Sequence, residues 1–288
     1  MFQITARGDR ADIETAWDAL AWSDPTPAQA VDGREETRLI WRLVAYAETA
    51  DQAQACADLI RETSPQLAPS ISALPDRDWV TLSLEGLPPV EAGRFVVAGH
   101  HALTQRSPGR TGILIEAGPA FGTGHHGTTL GCLQGFEHVL RRRVPKRVLD
   151  VGTGSGVLAI AALKTGSELA IGTDIDAESV RVTRENASKN NVARRMTAYV
   201  VKGTRLSRIR ATAPYDLIFA NILARPLIRL AGELVPLIEP GGHIVLSGLL
   251  NHQAPLVLKA YLSRGLILRK RIRIEGWTSL VLQRPASP

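Results

Sequence analysis

The chain has 288 residues, of which 44% are apolar, 22% charged and 5% aromatic, a balance that supplies a packed core and excludes intrinsic disorder. Thirty-four basic against 28 acidic side chains leave a net charge of +6, which draws polyanions but fixes no reaction type. No apolar run reaches the ~18 residues of a membrane span, the first residues lack the pattern of a secretory leader, and two cysteines without paired spacing, Cys56 and Cys132, exclude a disulfide framework or structural zinc site, so a cytoplasmic protein is expected.

In chain order, residues 2–5 alternate as a strand, and Ile13, Trp17 and Leu20 mark a helix over 11–22. Pro25 and Pro27 interrupt the pattern. A strand over 39–46 is rich in β-forming residues, a helix over 50–62 stops before Ser64-Pro65, and 69–74 supplies a further strand. With a short strand assumed near Val31, this is the order of a ferredoxin-like α+β unit, assigned to residues 1–73. Residues 74–92 are rich in turn formers, including Pro88-Pro89, and read as a linker. A second domain covers 93–288, entered by a strand over 94–98.

From Gly112 onward strands are expected at 113–116, 147–151, 169–174, 217–220 and 243–247. Helices are expected at 128–140, 157–164, 177–190 and 226–238. That alternation predicts a doubly wound parallel sheet with helices on both faces. Strands over 266–273 and 278–283, joined through Glu275-Gly276-Trp277, form an antiparallel hairpin at its end. Ligands of such sheets bind at the carboxyl ends of the strands.

The run Val148-Leu149-Asp150-Val151 passes directly into Gly152-Thr153-Gly154-Ser155-Gly156 and then a helix. Glycines at this point allow a tight turn and close approach of a ligand. The next strand ends at Asp174, eighteen residues beyond Gly156, near the ~20 expected of a carboxylate that grips ribose hydroxyls. These features indicate a nucleoside cofactor. A dinucleotide fingerprint needs a further glycine where this chain has Val157, and Asp150 repels a pyrophosphate. The same carboxylate suits a cationic sulfonium with a free amino group, that is S-adenosylmethionine. A methyltransferase is expected rather than a dehydrogenase.

Four ordered motifs then carry a resemblance: Phe121-Gly122-Thr123-Gly124-His125-His126-Gly127-Thr128-Thr129; Asp150 to Gly156; Asp174-Ile175-Asp176; and Asn221-Ile222-Leu223-Ala224. Together with Gly241-Gly242 and Ser247-Gly248 they resemble the PrmA family, closely from about Pro75 to the C-terminus and, before it, in size and element order. The resemblance implies the Rossmann-like class I S-adenosylmethionine-dependent methyltransferase fold. It implies transfer to lysine and N-terminal α-amino groups of the large-subunit ribosomal protein numbered eleven, leaving S-adenosylhomocysteine. The N-terminal domain would recognise that protein, free or on the ribosome and close to ribosomal RNA, and the chain would act as a monomer away from membranes. Cofactor contacts carried over are Thr129, Gly152, Gly154, Asp174 and Asn221. His125 and Gly127 stand where other members carry threonine and proline or glutamate.

Each role has a plainer alternative. Asp174 accepts ribose hydroxyls or ends a strand in solvent; Asp176 serves equally as a helix cap. Thr129 meets the methionine part of the cofactor or sits in a first helical turn. Asn221, the expected catalytic residue, offers its carbonyl oxygen to the incoming amine, aligning it for in-line displacement, or forms a turn. His125 or His126 assists as a base or is structural. Arg141-Arg142-Arg143 with Lys146-Arg147 complements a helix dipole or meets RNA, and Trp79 and Trp277 line a cleft or pack. No histidine spacing suggests a metal. Rival functions are a nucleic-acid amino methyltransferase, a lysine methyltransferase of the electron-transfer-flavoprotein type and a non-catalytic binding module. The first is disfavoured because Ile222-Leu223-Ala224 lacks an aromatic for a flipped base.

Overall fold

The computed structural model describes residues 2–23, 26–28, 30–37, 39–73, 90–99, 109–115, 127–274 and 276–286. The chain divides into two compact units, Met1–Trp79 and Val80–Pro288.

In the first unit the elements are β1 (Phe2–Gly8), α1 (Arg10–Trp22), β2 (Ala30–Glu35), β3 (Trp41–Ala47), α2 (Ala50–Thr63) and β4 (Ser70–Ala73). The sheet order is β2-β3-β1-β4, antiparallel at every pairing, which is the split βαβ arrangement. The assumed strand near Val31 is β2. β3 starts at Trp41 rather than residue 39, because Leu39 and Ile40 form the exposed turn that closes the hairpin, where Ile40 N–H meets the Thr37 carbonyl. Local chemistry sets both helix starts. Asp9 accepts Asp12 N–H at 2.8 Å, and Thr49 with Gln52 forms a capping box. Ile4, Trp17, Leu20, Leu43 and Ile60 fill the core.

The second unit opens with a small sheet of β5 (Val90–Ala92), β6 (Phe95–Ala98) and β7 (Thr111–Leu114). Three residues of the expected linker therefore form a strand, paired with β6. β7 also begins two residues before the expected position, and Glu116 lies outside the described residues. The remainder alternates: α3 (Gly127–Leu140), β8 (Arg147–Val151), α4 (Val157–Lys164), β9 (Leu169–Asp174), α5 (Ala177–Lys189), β10 (Met196–Val200), α6 (Ser207–Thr212), β11 (Tyr215–Asn221), α7 (Ala224–Leu234), β12 (Ile238–Leu250), α8 (Ala254–Leu262), β13 (Ile267–Ile274) and β14 (Trp277–Gln283). The seven-stranded order is β10-β9-β8-β11-β12-β14-β13. From β10 to β12 the pairings are parallel, and β14 is antiparallel to both neighbours. This is the doubly wound sheet with a terminal hairpin read from the sequence.

Two features place the site. The switch point lies between β8 and β11, where chain order reverses across the sheet. α3 also lies flat on the sheet, since it presents glycine where it crosses. A Cβ on Gly131 would strike Ser279 Oγ, and one on Gly135 would come within 3.1 Å of methyls of both Val245 and Val281. Beside them Phe136 stacks on Phe95 and meets Phe219 edge-on, with centroids 5.6 and 5.4 Å apart. That packing holds the first turn of α3 against the ends of β11 and β12.

Candidate active site

The glycine loop leaves β8 with positive φ at Gly152 (71°), Gly154 (53°) and Gly156 (81°), angles that side-chain-bearing residues avoid. Gly152 is doubly constrained, because a Cβ there would also strike Ile222 Cγ2. The loop is tied on both sides. Gly152 and Thr153 N–H groups donate to the Thr173 carbonyl at 2.8 and 3.0 Å. From α5, Thr183 Oγ1 donates to the Gly154 carbonyl at 2.8 Å and Asn186 Nδ2 to that of Ser155 at 2.9 Å. Thr183 and Asn186 were not singled out from sequence. Their signal is a polar stripe at 183, 186 and 190 on a helix face where apolar residues belong. Asn190 completes it by exchanging two hydrogen bonds with the backbone of Leu114.

Asp174 stands at the carboxyl end of β9. Its Oδ2 accepts Gly154 N–H at 2.9 Å and its Oδ1 accepts Asp176 N–H at 3.1 Å. An ionised carboxylate accepts about four hydrogen bonds, so a ribose diol fits the remainder. Burial raises its pKa above the usual carboxylate range, against the pull of the Gly154 and Asp176 N–H groups. Asp176 is the helix cap of the plainer reading, accepting Glu178 and Ser179 N–H at 3.1 and 2.9 Å.

Asp150 is fully buried and turned inward. Its Oδ2 accepts Thr153 Oγ1–H at 2.9 Å and Ala159 N–H at 3.3 Å, fastening the loop to α4, while Oδ1 has no partner among the described residues. Burial pushes its pKa up to about 7. Burial thus opposes the negative charge expected beside the loop, and an approaching cation favours it.

Across the switch point, Asn221 ends β11 and donates from Nδ2 to Thr128 Oγ1 at 3.3 Å. Among the described residues its Oδ1 has no partner, nor has Oγ1 of the fully buried Thr129. The backbone around Thr128 is fixed by Ser247 Oγ, which donates to the Thr128 carbonyl at 3.1 Å and shares a 2.7 Å bond with Ser279 Oγ. β14, β12, α3 and β11 therefore meet in one chain of hydrogen bonds at the side chain of Asn221. Trp277 is buried, and a Cβ on Gly127 would lie 3.2 Å from its Cδ1, so glycine at 127 leaves room for this ring. His125, His126 and Trp79 lie outside the described residues.

Among the described residues, Thr129 Oγ1, Asp150 Oδ1, Thr173 Oγ1 and Asn221 Oδ1 are buried polar atoms without partners, on α3 and near the carboxyl ends of β8, β9 and β11. Each costs about 1–3 kcal/mol if nothing satisfies it, and all four oxygens can accept a hydrogen bond. Among the described residues no group of three His, Cys, Asp or Glu could hold a metal, and no helix is long and apolar enough to cross a membrane.

Residues 14–285 match the PrmA family, described as ribosomal protein L11 methyltransferase. The chain belongs to this family. The PrmA match begins within α1, so it includes the first unit as well as the sheet domain. Relatives named ribosomal protein L11 methyltransferase include one from Caulobacter sp. (strain K31), 44% identical over 288 residues and 98% of both chains. Another, from Brucella suis (strain ATCC 23445 / NCTC 10510), is 42% identical over 277 residues and 96% of both. A crystal structure of the ribosomal protein L11 methylase of Lactobacillus delbrueckii subsp. bulgaricus superposes with a TM-score of 0.60 at 29% identity, covering 69% of this chain and all of that one.

Proposed function

We propose that this PrmA-family protein is an S-adenosylmethionine-dependent methyltransferase acting on lysine side chains and the α-amino group of ribosomal protein L11. The observation that carries this reading is the unpartnered carbonyl oxygen of Asn221, whose amide nitrogen is held by Thr128 and whose neighbour Ile222 lies against Gly152 of the glycine loop. The cofactor, when bound, supplies an electrophilic methyl group on a cationic sulfur. Asp174 holds the ribose hydroxyls; the Gly152–Gly154 backbone admits the cofactor without Cβ interference; Thr129 and Asp150 receive its amino-acid end.

Asn221 then orients the acceptor. Because Thr128 engages its amide nitrogen, its oxygen faces the incoming amine and accepts one N–H, which aims the nitrogen lone pair. A lysine amine has a reference pKa near 10.4 and must arrive unprotonated, a state that a dehydrated pocket favours. Alignment of the two reactants supplies most of the rate. After Asn221 come Ile222 beside Gly152, Leu223 capping α7 and Ala224 in its first turn, none of which can stack on a flipped base. The first unit recognises the ribosomal protein, the segment 74–92 joins it to the catalytic domain, and the enzyme acts as a cytoplasmic monomer on substrate free or in the ribosome beside its RNA.

The test is incubation of the purified protein with labelled S-adenosylmethionine, L11 and ribosomal RNA. Label on lysines and the α-amine of L11 is expected; label on RNA, or on neither, overturns the reading.

A further inference from the structure

Ser247-Gly248 is one of the pairs that stand out in the sequence, yet the reaction proposed above gives it no role. In the structure it is a bulge. β12 and β14 pair through Leu246 and Leu280 and resume at Leu249 and Thr278, so Ser247 and Gly248 together stand opposite one residue, Ser279. Gly248 takes a φ of +81°, which residues with a Cβ avoid. A bulge bends its strand and re-aims a side chain, often beside an active site.

Both residues of the bulge bear on Asn221. In the parallel register of β11 and β12, Asn221 lies directly beside Ser247. The two side chains hold different ends of one residue. Asn221 Nδ2 donates to Thr128 Oγ1 at 3.3 Å, and Ser247 Oγ donates to the Thr128 carbonyl at 3.1 Å. A hydroxyl has one proton, and that of Ser247 is committed to this carbonyl. The 2.7 Å bond between the two serines therefore has Ser279 as its donor, and the chain runs in one direction, from Ser279 to Ser247 to Thr128. Gly248 works on the backbone. A Cβ there would strike the Ile222 carbonyl and lie 3.1 Å from the Ile222 nitrogen, so glycine lets β12 close against the residue that follows Asn221.

Cross-strand hydrogen bonding explains two buried serines on neighbouring strands, and the bulge explains a glycine at positive φ. Neither explains the bond to Thr128. That carbonyl lies in the first turn of α3, where the helix ladder already pairs it with the N–H four residues on, so a second donor is not needed to satisfy it. What the second donor adds is position. It ties the first turn of α3 to the end of β12, beside the end of β11, and so fixes the hydroxyl against which the Asn221 amide rests. We propose that Ser247, backed by Ser279, is a positioning residue that acts through Thr128 to set the direction of the Asn221 carbonyl oxygen and hence the alignment of the incoming amine. This assignment rests on the aligning role proposed for Asn221.

The experiment is a double-mutant cycle on the full chain. For each variant, kcat and KM are measured for methylation of L11 by labelled S-adenosylmethionine, and affinity for S-adenosylhomocysteine by calorimetry. Ser247→Ala should lower kcat about five- to tenfold, the order of one neutral hydrogen bond. Both KM values and the affinity for S-adenosylhomocysteine should stay within about twofold of the parent, which also shows that the variant folds. Ser279→Ala, which leaves the bond to Thr128 in place, should cost less. In an Asn221→Ala background Ser247→Ala should lower kcat by less than about twofold, because the group it positions is gone. An unchanged kcat for Ser247→Ala, equal losses in the two backgrounds, or a fall in S-adenosylhomocysteine affinity that matches the fall in kcat would overturn the proposal. L11 left unlabelled by the parent, or Asn221→Ala as fast as the parent, would overturn the reading beneath it and this proposal with it.

Discussion

At the scale of single residues, the site is built from groups whose hydrogen bonding is left half complete. Asn221 gives its nitrogen to Thr128 and keeps its oxygen open. Asn221→Ala should therefore lower kcat by about 100-fold, with a smaller change in calorimetric affinity for S-adenosylhomocysteine; equal losses would remove its aligning role. Thr128→Val should reproduce part of the kcat loss and Thr128→Ser should restore it. Asp150 yields a pH prediction. Its folded pKa, pushed up to about 7 by burial, lies above the ordinary aspartate value of about 3.9, so its stabilising contribution is complete below about 4 and is lost as pH rises through 7. The melting temperature of Asp150→Asn should accordingly gain on that of the parent between pH 5 and 8. A cationic cofactor favours the ionised carboxylate, so parental affinity should rise from pH 6 to 8 while that of the variant stays flat. The placement of Asp150, Asp174 and Asn221 was legible because each stands at or one residue before the end of a strand expected from its apolar run. Thr183 and Asn186 serve the loop from a distant element, and local spacing does not report such contacts.

At the scale of elements, strong periodicity located most of the sheet domain. α4 falls on the expected residues 157–164 because seven consecutive buried residues follow a glycine turn and precede Lys164-Thr165-Gly166. α7 was expected at 226–238 but spans Ala224–Leu234, since Pro226 fits a first helical turn and Val235–Leu237 tightens into a 3-10 turn around Pro236. β10, α6 and α8 were not anticipated. β10 is a five-residue edge strand of mixed polarity, and α8, rich in Leu, Val and Ala, lacks a polar face to set its period. α3 also carries a prediction, since two of its glycines are there for contact rather than flexibility. Gly131→Ala gains about 1 kcal/mol of helix propensity but forces Ser279 away from Ser247, an overpacking cost of about 1–3 kcal/mol. Lower stability in a denaturant titration and a lower kcat should therefore appear together.

For the whole molecule, the fold class followed from the alternation of strands and helices, and the family from four motifs in fixed order. Charge was less legible, because a sum of +6 averages an acidic first unit and a basic second one. All of these readings depend on one pocket at the switch point of the sheet. A crystal soaked with S-adenosylhomocysteine tests it most directly. The account predicts density for the ribose on Asp174 and for the amino-acid end at Thr129 and Asp150, with the sulfur facing Asn221. An empty pocket, or one that takes a nicotinamide dinucleotide instead, would contradict it.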